Sequence, residues 1–344
     1  MHFQVIGFTG SDKMTGLKAK NKRVISGGTF TSIRANRKNK KRRIQKKVNR
    51  EKLMTVCIAA IAEANTPYPK IVLAADREVS TDWISYTSGV GKIRALTNYC
   101  WVMISTDNAL VGNDIITKSI DKLNINLKNN PEEKLTIEQI AELLSKECKQ
   151  KLDTERERFV LSPHGLSYDS YIEKSRDLSR EHIEILTDDL KEFEAYNYNF
   201  HVEFLVFGID TKPHIYTVVQ NGQYVSSDIE GFAIIGGGKS TAFPEFTKYI
   251  YTPDSNWRYV LHRVYTSKKV AERVGGVGPD TDLYVMHLTE NGKVAYWPAD
   301  NDTKKLLDSG IKEVMKNEVA IYTKLLERFD TLLISSEPKI EPEK

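Results

Sequence analysis

No run of about 18 or more apolar residues occurs in this 344-residue chain, so no transmembrane helix is expected. Cysteine is scarce: Cys57, Cys100 and Cys148 stand far apart, without a CxxC pair. That spacing argues against a disulfide framework and a zinc site, and it fits a reducing, cytoplasmic setting. The seven histidines form no HExxH pair. His182, His201, His214, His262 and His287 are read as surface or core residues, and no metal or other cofactor is expected. A phosphate loop is missing too. "IIGGGKST" (234–241) is suggestive, but the motif needs a glycine five residues before Gly238, where the chain has Ala233. Pro244 also disturbs the helix that should follow. These glycines read instead as a strand-to-helix turn, kept free of side chains so that backbone can approach closely.

Acidic residues are nearly absent from the first 53 positions, which carry 16 Lys and Arg against only Asp12 and Glu51. The segment is therefore net +14 in a chain of net +4, which leaves −10 for the remainder. Its low apolar content predicts disorder over 1–53. No apolar core follows the charges, so a secretory signal is not expected. Several readings stay open: a nucleic-acid-binding or nuclear-targeting arm, a removable pro-segment, a transit peptide, or a stretch upstream of the true start. At "REKLMTVCIAAI" (50–61) the basic run ends and an apolar segment begins at Met54-Thr55.

From Thr55 the pattern is strands, two helices, strands, two helices, strands. "TVCIAAIA" and "KIVLAAD" are separated by a loop holding two prolines, and "GKIRAL" and "YCWVMIS" are joined by a turn at Thr97–Asn98. "DNALVGNDIITKSIDKLNINL" and "TIEQIAELLSKECKQKL" have helical periodicity, the second opening with a capping box at Thr136. Residues 154–198 form a charged helical insertion, in which "SREHIEILTDDLKEFEAY" reads as an exposed helix. Strands resume at "HVEFLVFGID", "PHIYTVVQ", "GQYVSSD" and "GFAIIGG". Helices follow around "TAFPEFTKYIY" and "WRYVLHRVYTSKKVAERV", and a hairpin turns at Asn291–Gly292. A long helix, about Lys304–Phe329, closes the domain (54–330), and a disordered tail is expected over 331–344. The order predicts an α+β fold with two antiparallel sheets between helix layers; a doubly wound parallel sheet would need strict strand–helix alternation.

One apolar run ends in Asp76, and Lys92 follows sixteen residues later in "SGVGKIRAL". Taken alone, such a pair is an ordinary sheet salt bridge. In combination, "TVCIAAI", "VLAADREVST", "GKI", "FLVFGID…PHIYTVV…GFAIIGGG" and "GGVGPDTDLYVM" resemble the proteasome β-subunit family of N-terminal nucleophile (Ntn) hydrolases. The resemblance runs from Thr55 to about Ala299, interrupted by the insertion.

The resemblance implies a four-layer αββα sandwich and hydrolysis of peptide or other amide bonds in a ring-like homo-oligomer. It implies Thr55 as nucleophile, its own α-amine as base, and Lys92 and Asp76 as supports. The oxyanion N–H falls near Thr106. Gly237 occupies the place of a helper serine, and the late Asp and Ser helpers fall near Val274 and Val277. Asp280 or Asp282 is left as a possible substitute for them. Pocket positions are Val79, Val90, Arg94, Ile104 and Asn108. Removal of an initiator Met54 would expose the Thr55 amine, and an internal start there is favoured. A catalytically silent ring subunit and a nucleic-acid-binding protein acting through the tail are the alternative functions.

Overall fold

The computed structural model describes residues 55–80, 85–87, 91–106, 108–130, 134–196, 201–248, 250–273 and 277–335. The expected disorder of 1–53 and of 336–344, the Met54 junction, and the positions Val90 and Val274 lie outside the described residues.

The chain is mixed α+β. Its strands are β1 (Cys57–Ala62), β2 (Lys70–Asp76), β3 (Glu78–Ser80), β4 (Ser85–Thr87), β5 (Ile93–Ala95) and β6 (Cys100–Thr106). The later strands are β7 (Val202–Ile209), β8 (Pro213–Val219), β9 (Tyr224–Ser226), β10 (Phe232–Ile235), β11 (Thr281–Leu288) and β12 (Val294–Pro298). One five-stranded sheet has the order β10-β1-β2-β11-β12, the other β5-β6-β7-β8-β9, and β3 pairs with β4 separately. The pairings within both five-stranded sheets are antiparallel.

The helices are α1 (Ala109–Asn129), α2 (Ile137–Arg156), α3 (Tyr168–Lys174) and α4 (Arg180–Tyr196) between β6 and β7. Then come α5 (Lys239–Ala242), α6 (Pro244–Thr247) and α7 (Trp257–Ala271) between β10 and β11, and α8 (Asn301–Ser335) at the end. Thr136 Oγ1 accepts a hydrogen bond from Gln139 N (3.2 Å), and Gln139 Oε1 accepts one from Thr136 N (2.8 Å). The capping box read from the sequence thus starts α2 by satisfying two otherwise orphaned amides.

Strand alternation sorts the apolar residues into separate cores. Cys57, Ala59 and Ile61 of β1 pack with Ile71, Leu73 and Ala75 of β2 and with Met103, Leu205 and Phe207 of the other sheet. The intervening β1 residues Ile58 and Ala60 pack with Val260, Leu261 and Val264 of α7. Likewise Val102, Phe204 and Val206 pack with Ile115, Ile140 and Leu144 of α1 and α2. Both faces of the central strands are therefore covered, which is why "CIAAIA" reads as a continuous apolar run and is buried throughout. Burying each Ile, Leu or Val side chain contributes about 1.5–3 kcal/mol.

Three details depart from the sequence reading. Helix α4 is not simply exposed, because Leu186 and Phe193 are buried in the core over β6 and β7. Seven residues apart, these two lie on one stripe of the helix. "TAFPEFTKYIY" is not one helix but the two short turns α5 and α6, since Pro244 has no N–H to continue the first. Helix α8 runs on to Ser335, into the segment expected to be tail. Among the described residues, no helix is long and apolar enough to cross a membrane.

Candidate active site

Antiparallel pairing of β1 and β2 sets Cys57 opposite Ala75, so the chain just before β1 runs beside the end of β2. Val56 N donates to Asp76 Oδ1 (2.9 Å), and Asp76 N donates to Val56 O (3.2 Å). On its other side Asp76 faces Thr281 of β11. Asp76 is completely buried, and a carboxylate there is tolerable only with hydrogen bonds and a counter-charge. Lys92 supplies that charge, its Nζ lying 2.8 Å from Asp76 Oδ2.

Lys92 comes from the opposite sheet. It immediately precedes β5, and its carbonyl accepts a hydrogen bond from Ile104 N of β6 (3.2 Å). Its side chain is only 11% exposed. The same Nζ lies 2.7 Å from Thr55 Oγ1. Thr55, Asp76 and Lys92, spread over 38 residues of sequence, thus meet where the two sheets approach. The ammonium donates to the carboxylate and to the hydroxyl, so it both fixes the hydroxyl and favours negative charge on that oxygen.

The glycine turn completes the enclosure. Gly236 has φ +94°, and a Cβ there would stand 2.2 Å from Thr55 O. Gly238 N donates to Thr55 O (3.1 Å), and Gly236 N donates to Glu203 Oε2 (3.0 Å). The close backbone approach read from "IIGGGKST" is therefore found, and the backbone approached is that of Thr55. Gly237 lies exposed between these contacts and has no side chain to offer. Ser105 Oγ lies 3.0 Å from the Cβ position of Gly236, so this buried serine sits beside the turn. The sequence reading missed Ser105 and Glu203; Glu203 is a charged residue in an otherwise apolar strand, which was the available signal, whereas Ser105 reads as part of the polar end of β6.

The two acids left open after Val277 have separate places. Asp282 is buried and holds Arg77: Nε lies 2.7 Å and Nη2 2.5 Å from its Oδ1. Its Oδ2 is 3.1 Å from where a Cβ on Gly91 would stand, next to Lys92. The Asp280 carbonyl accepts from Arg77 N (3.2 Å). Val277 is buried and apolar. Cys57, two residues from Thr55, is no rival nucleophile. Burial pushes its thiol pKa far up, Lys92 offsets this only in part, and the thiol stays protonated.

The remaining expected residues divide between site and scaffold. Thr106 ends β6, and its Oγ1 bonds to the backbone of Asn108. Asn108 caps α1 through Oδ1, which accepts from Leu110 N (3.1 Å). Ile104 is buried under α1, with Gly112 making room for its Cδ1. Arg94 is partly exposed on β5 opposite Val102. Val79 lies on β3, opposite Tyr86. Among the described residues no group of three His, Cys, Asp or Glu is placed to hold a metal ion. No protein-family model matches this chain, and no curated protein does.

Proposed function

We propose that the chain is a threonine-type Ntn hydrolase that cleaves peptide or other amide bonds. The observation that carries the reading is one lysine ammonium shared between a buried carboxylate and the hydroxyl of Thr55. The three packed cores support the finer fold reading, a four-layer αββα sandwich.

A threonine hydroxyl is a weak nucleophile unless a base takes its proton. The base in this reading is the α-amine of Thr55, a group whose ordinary pKa is about 7.7–8.0. The Lys92 charge lowers that value further, because a second positive charge nearby is disfavoured. Thr55 Oγ1 attacks the amide carbon while its proton passes to the amine. The amine then protonates the leaving nitrogen, the C–N bond breaks, and an ester on Thr55 remains. Water, deprotonated by the same amine, hydrolyses that ester. The N–H of Thr106 is the proposed oxyanion donor. The cycle requires cleavage before Thr55, since a peptide nitrogen there is not a base. We propose also that the subunits act in a homo-oligomeric ring.

A second reading, a catalytically silent ring subunit, is favoured by Val277 being buried and apolar and by Gly237 having no side chain where polar helpers are expected. One experiment separates the two. Chains beginning at Thr55, the same chain with one residue added in front, and Thr55→Ala are compared on a peptide panel. A peptide electrophile that needs both the threonine hydroxyl and its free amine serves as a label. Activity and labelling are expected only for the first chain. Activity undiminished in either of the others overturns the hydrolase reading, and silence in all three with intact folding supports the silent subunit.

A further inference from the structure

Lys268, on α7, is completely buried. Lysine is rarely placed so unless all its donors are used. Here Nζ lies 2.5 Å from Glu272 Oε1, 2.7 Å from Gly278 O and 3.1 Å from Pro279 O. Glu272 is one helical turn on and needs no buried lysine to be satisfied, because Lys269 Nζ already stands 3.0 Å from its other oxygen. The two carbonyls are different. They belong to the chain entering β11, between the buried Val277 and Thr281.

Just beyond those carbonyls the chain frames the site. Asp280 O receives the N–H of Arg77, and Thr281 lies opposite Asp76 in the sheet. Asp282 grips the Arg77 side chain and approaches Gly91, the neighbour of Lys92. A shift of the 278–280 segment would move Arg77, Asp76 and the Gly91–Lys92 backbone together. Helix α7 is fixed independently, since Val260, Leu261 and Val264 are packed in the core beneath β1. An ammonium projecting from it is a fixed post.

We infer that Lys268 is a positioning residue for the Thr55 site: it pins the Gly278 and Pro279 carbonyls to α7 and so sets where Asp76 and Lys92 meet Thr55. The inference rests on the hydrolase reading for its catalytic consequence and on geometry alone for the pinning. Lys268 touches neither Thr55 nor substrate. Misplacement of reacting groups by about an ångström costs about a hundredfold in rate.

The test uses the full chain processed to begin at Thr55, with Lys268→Met, Glu272→Gln and Lys268→Gln. The readouts are hydrogen exchange of peptides covering 72–77 and 277–283, and the rate and half-saturation of labelling by the peptide electrophile. Lys268→Met is expected to speed exchange in both peptides and to lower the maximal labelling rate between about tenfold and about a hundredfold, with half-saturation unchanged. Glu272→Gln leaves both carbonyl contacts in place and is expected to stay within about twofold of wild type. If Lys268 served only the helix through its ion pair, Lys268→Met and Glu272→Gln would behave alike, and the inference would be wrong. Lys268→Gln keeps two N–H donors on a side chain one bond shorter, so a small shift of the segment toward α7 brings the carbonyls back within reach. It is expected to restore wild-type exchange and most of the rate, which decides the matter even where the methionine variant does not fold. Wild-type exchange in Lys268→Met overturns the pinning. If Thr55→Ala labels like wild type, the hydrolase reading fails, and the exchange data still decide whether Lys268 holds the segment.

Discussion

Gly236 and Thr55 meet backbone to backbone: a Cβ on Gly236 would stand 2.2 Å from the Thr55 carbonyl oxygen. At φ +94° an L side chain is strained as well. Gly236→Ala therefore combines a backbone strain of about 1–3 kcal/mol with a clash that only movement of Thr55 relieves. The expected outcome is a lower unfolding free energy together with loss of electrophile labelling. Gly292→Ala is the control for strain alone, because its φ is +68° and nothing lies within 4 Å of its Cβ position. Equal losses of labelling in the two variants would show that the Gly236–Thr55 approach does not matter to the site.

The shared ammonium of Lys92 makes the three site residues one unit. Lys92→Met leaves the Asp76 carboxylate buried without its lysine, and breaking a buried pair in this way costs about 3–5 kcal/mol. Asp76→Asn removes the negative charge but retains a hydrogen-bond acceptor, so the loss of stability should be smaller. For turnover, each single variant is expected to lose at least about a hundredfold. The double variant should be little slower than the worse single one, as for residues acting together. Stability from urea unfolding and rates from the peptide panel check both halves. Multiplicative rate losses would mean that the residues act separately.

Much of this site is legible in the sequence alone. Asp76 ends an apolar run and Lys92 stands just before a short strand, so both lie at strand ends; their spacing of sixteen gains meaning only through the family resemblance. The triple glycine announces a close backbone approach, and Thr136 with Gln139 announces α2. The features that escape depend on contacts made across long stretches of chain. Lys268 falls on the buried stripe of Leu261, Val264 and Tyr265, yet a lysine there gives no hint of its partners, because the carbonyls that bury it begin ten residues later. Glu203 stands out in the apolar run of β7, but nothing local shows that it faces the glycine turn thirty-three residues away. Leu186 and Phe193 are obscured by the charges around them, although their spacing of seven encodes one buried stripe.

His214 provides a test of stability away from the site. Its Nδ1 lies 2.6 Å from Asp228 Oδ2, and its Nε2 lies 3.4 Å from Asp210 Oδ1. Burial alone would lower the imidazole pKa, and so would nearby Lys212. The bond to Asp228 and the charges of Asp228 and Asp210 outweigh them and raise it. Burial would likewise raise both carboxyls, but hydrogen bonds and the imidazolium hold them below their ordinary range. A raised histidine pKa stabilises fully below the unfolded value of about 6.5 and loses that stabilisation as pH rises through the folded value. The lowered carboxyls stabilise above about 3.9 and lose it as pH falls. The cluster should therefore stabilise most between about pH 4 and pH 6.5. Thermal midpoints of wild type and His214→Gln are expected to differ most across that window and to converge as pH rises through the folded value of the histidine. A gap that stays constant with pH would assign His214 a packing role only.

Arg94 offers a test of what the site accepts. It lies two residues beyond Lys92, on a strand paired with β6, and is partly exposed; the hydrolase reading assigns its guanidinium to the side-chain pocket beside Thr55. A guanidinium selects carboxylates through paired, charge-assisted hydrogen bonds. In the hydrolase reading, peptides with Asp or Glu on the acyl side of the cut should therefore be preferred over those with Lys or Arg. Arg94→Glu should reverse the order, because it replaces an attraction by a like-charge repulsion. Charge reversal at one contact changes the ratio of kcat/KM for acidic over basic peptides by at least about tenfold if the contact is made. The hydrogen bonds that join Thr55, Asp76 and Lys92 do not pass through Arg94, so labelling by a small uncharged electrophile should be unaffected. A preference that does not move with Arg94→Glu would place the side-chain pocket elsewhere, while leaving Thr55 in its role.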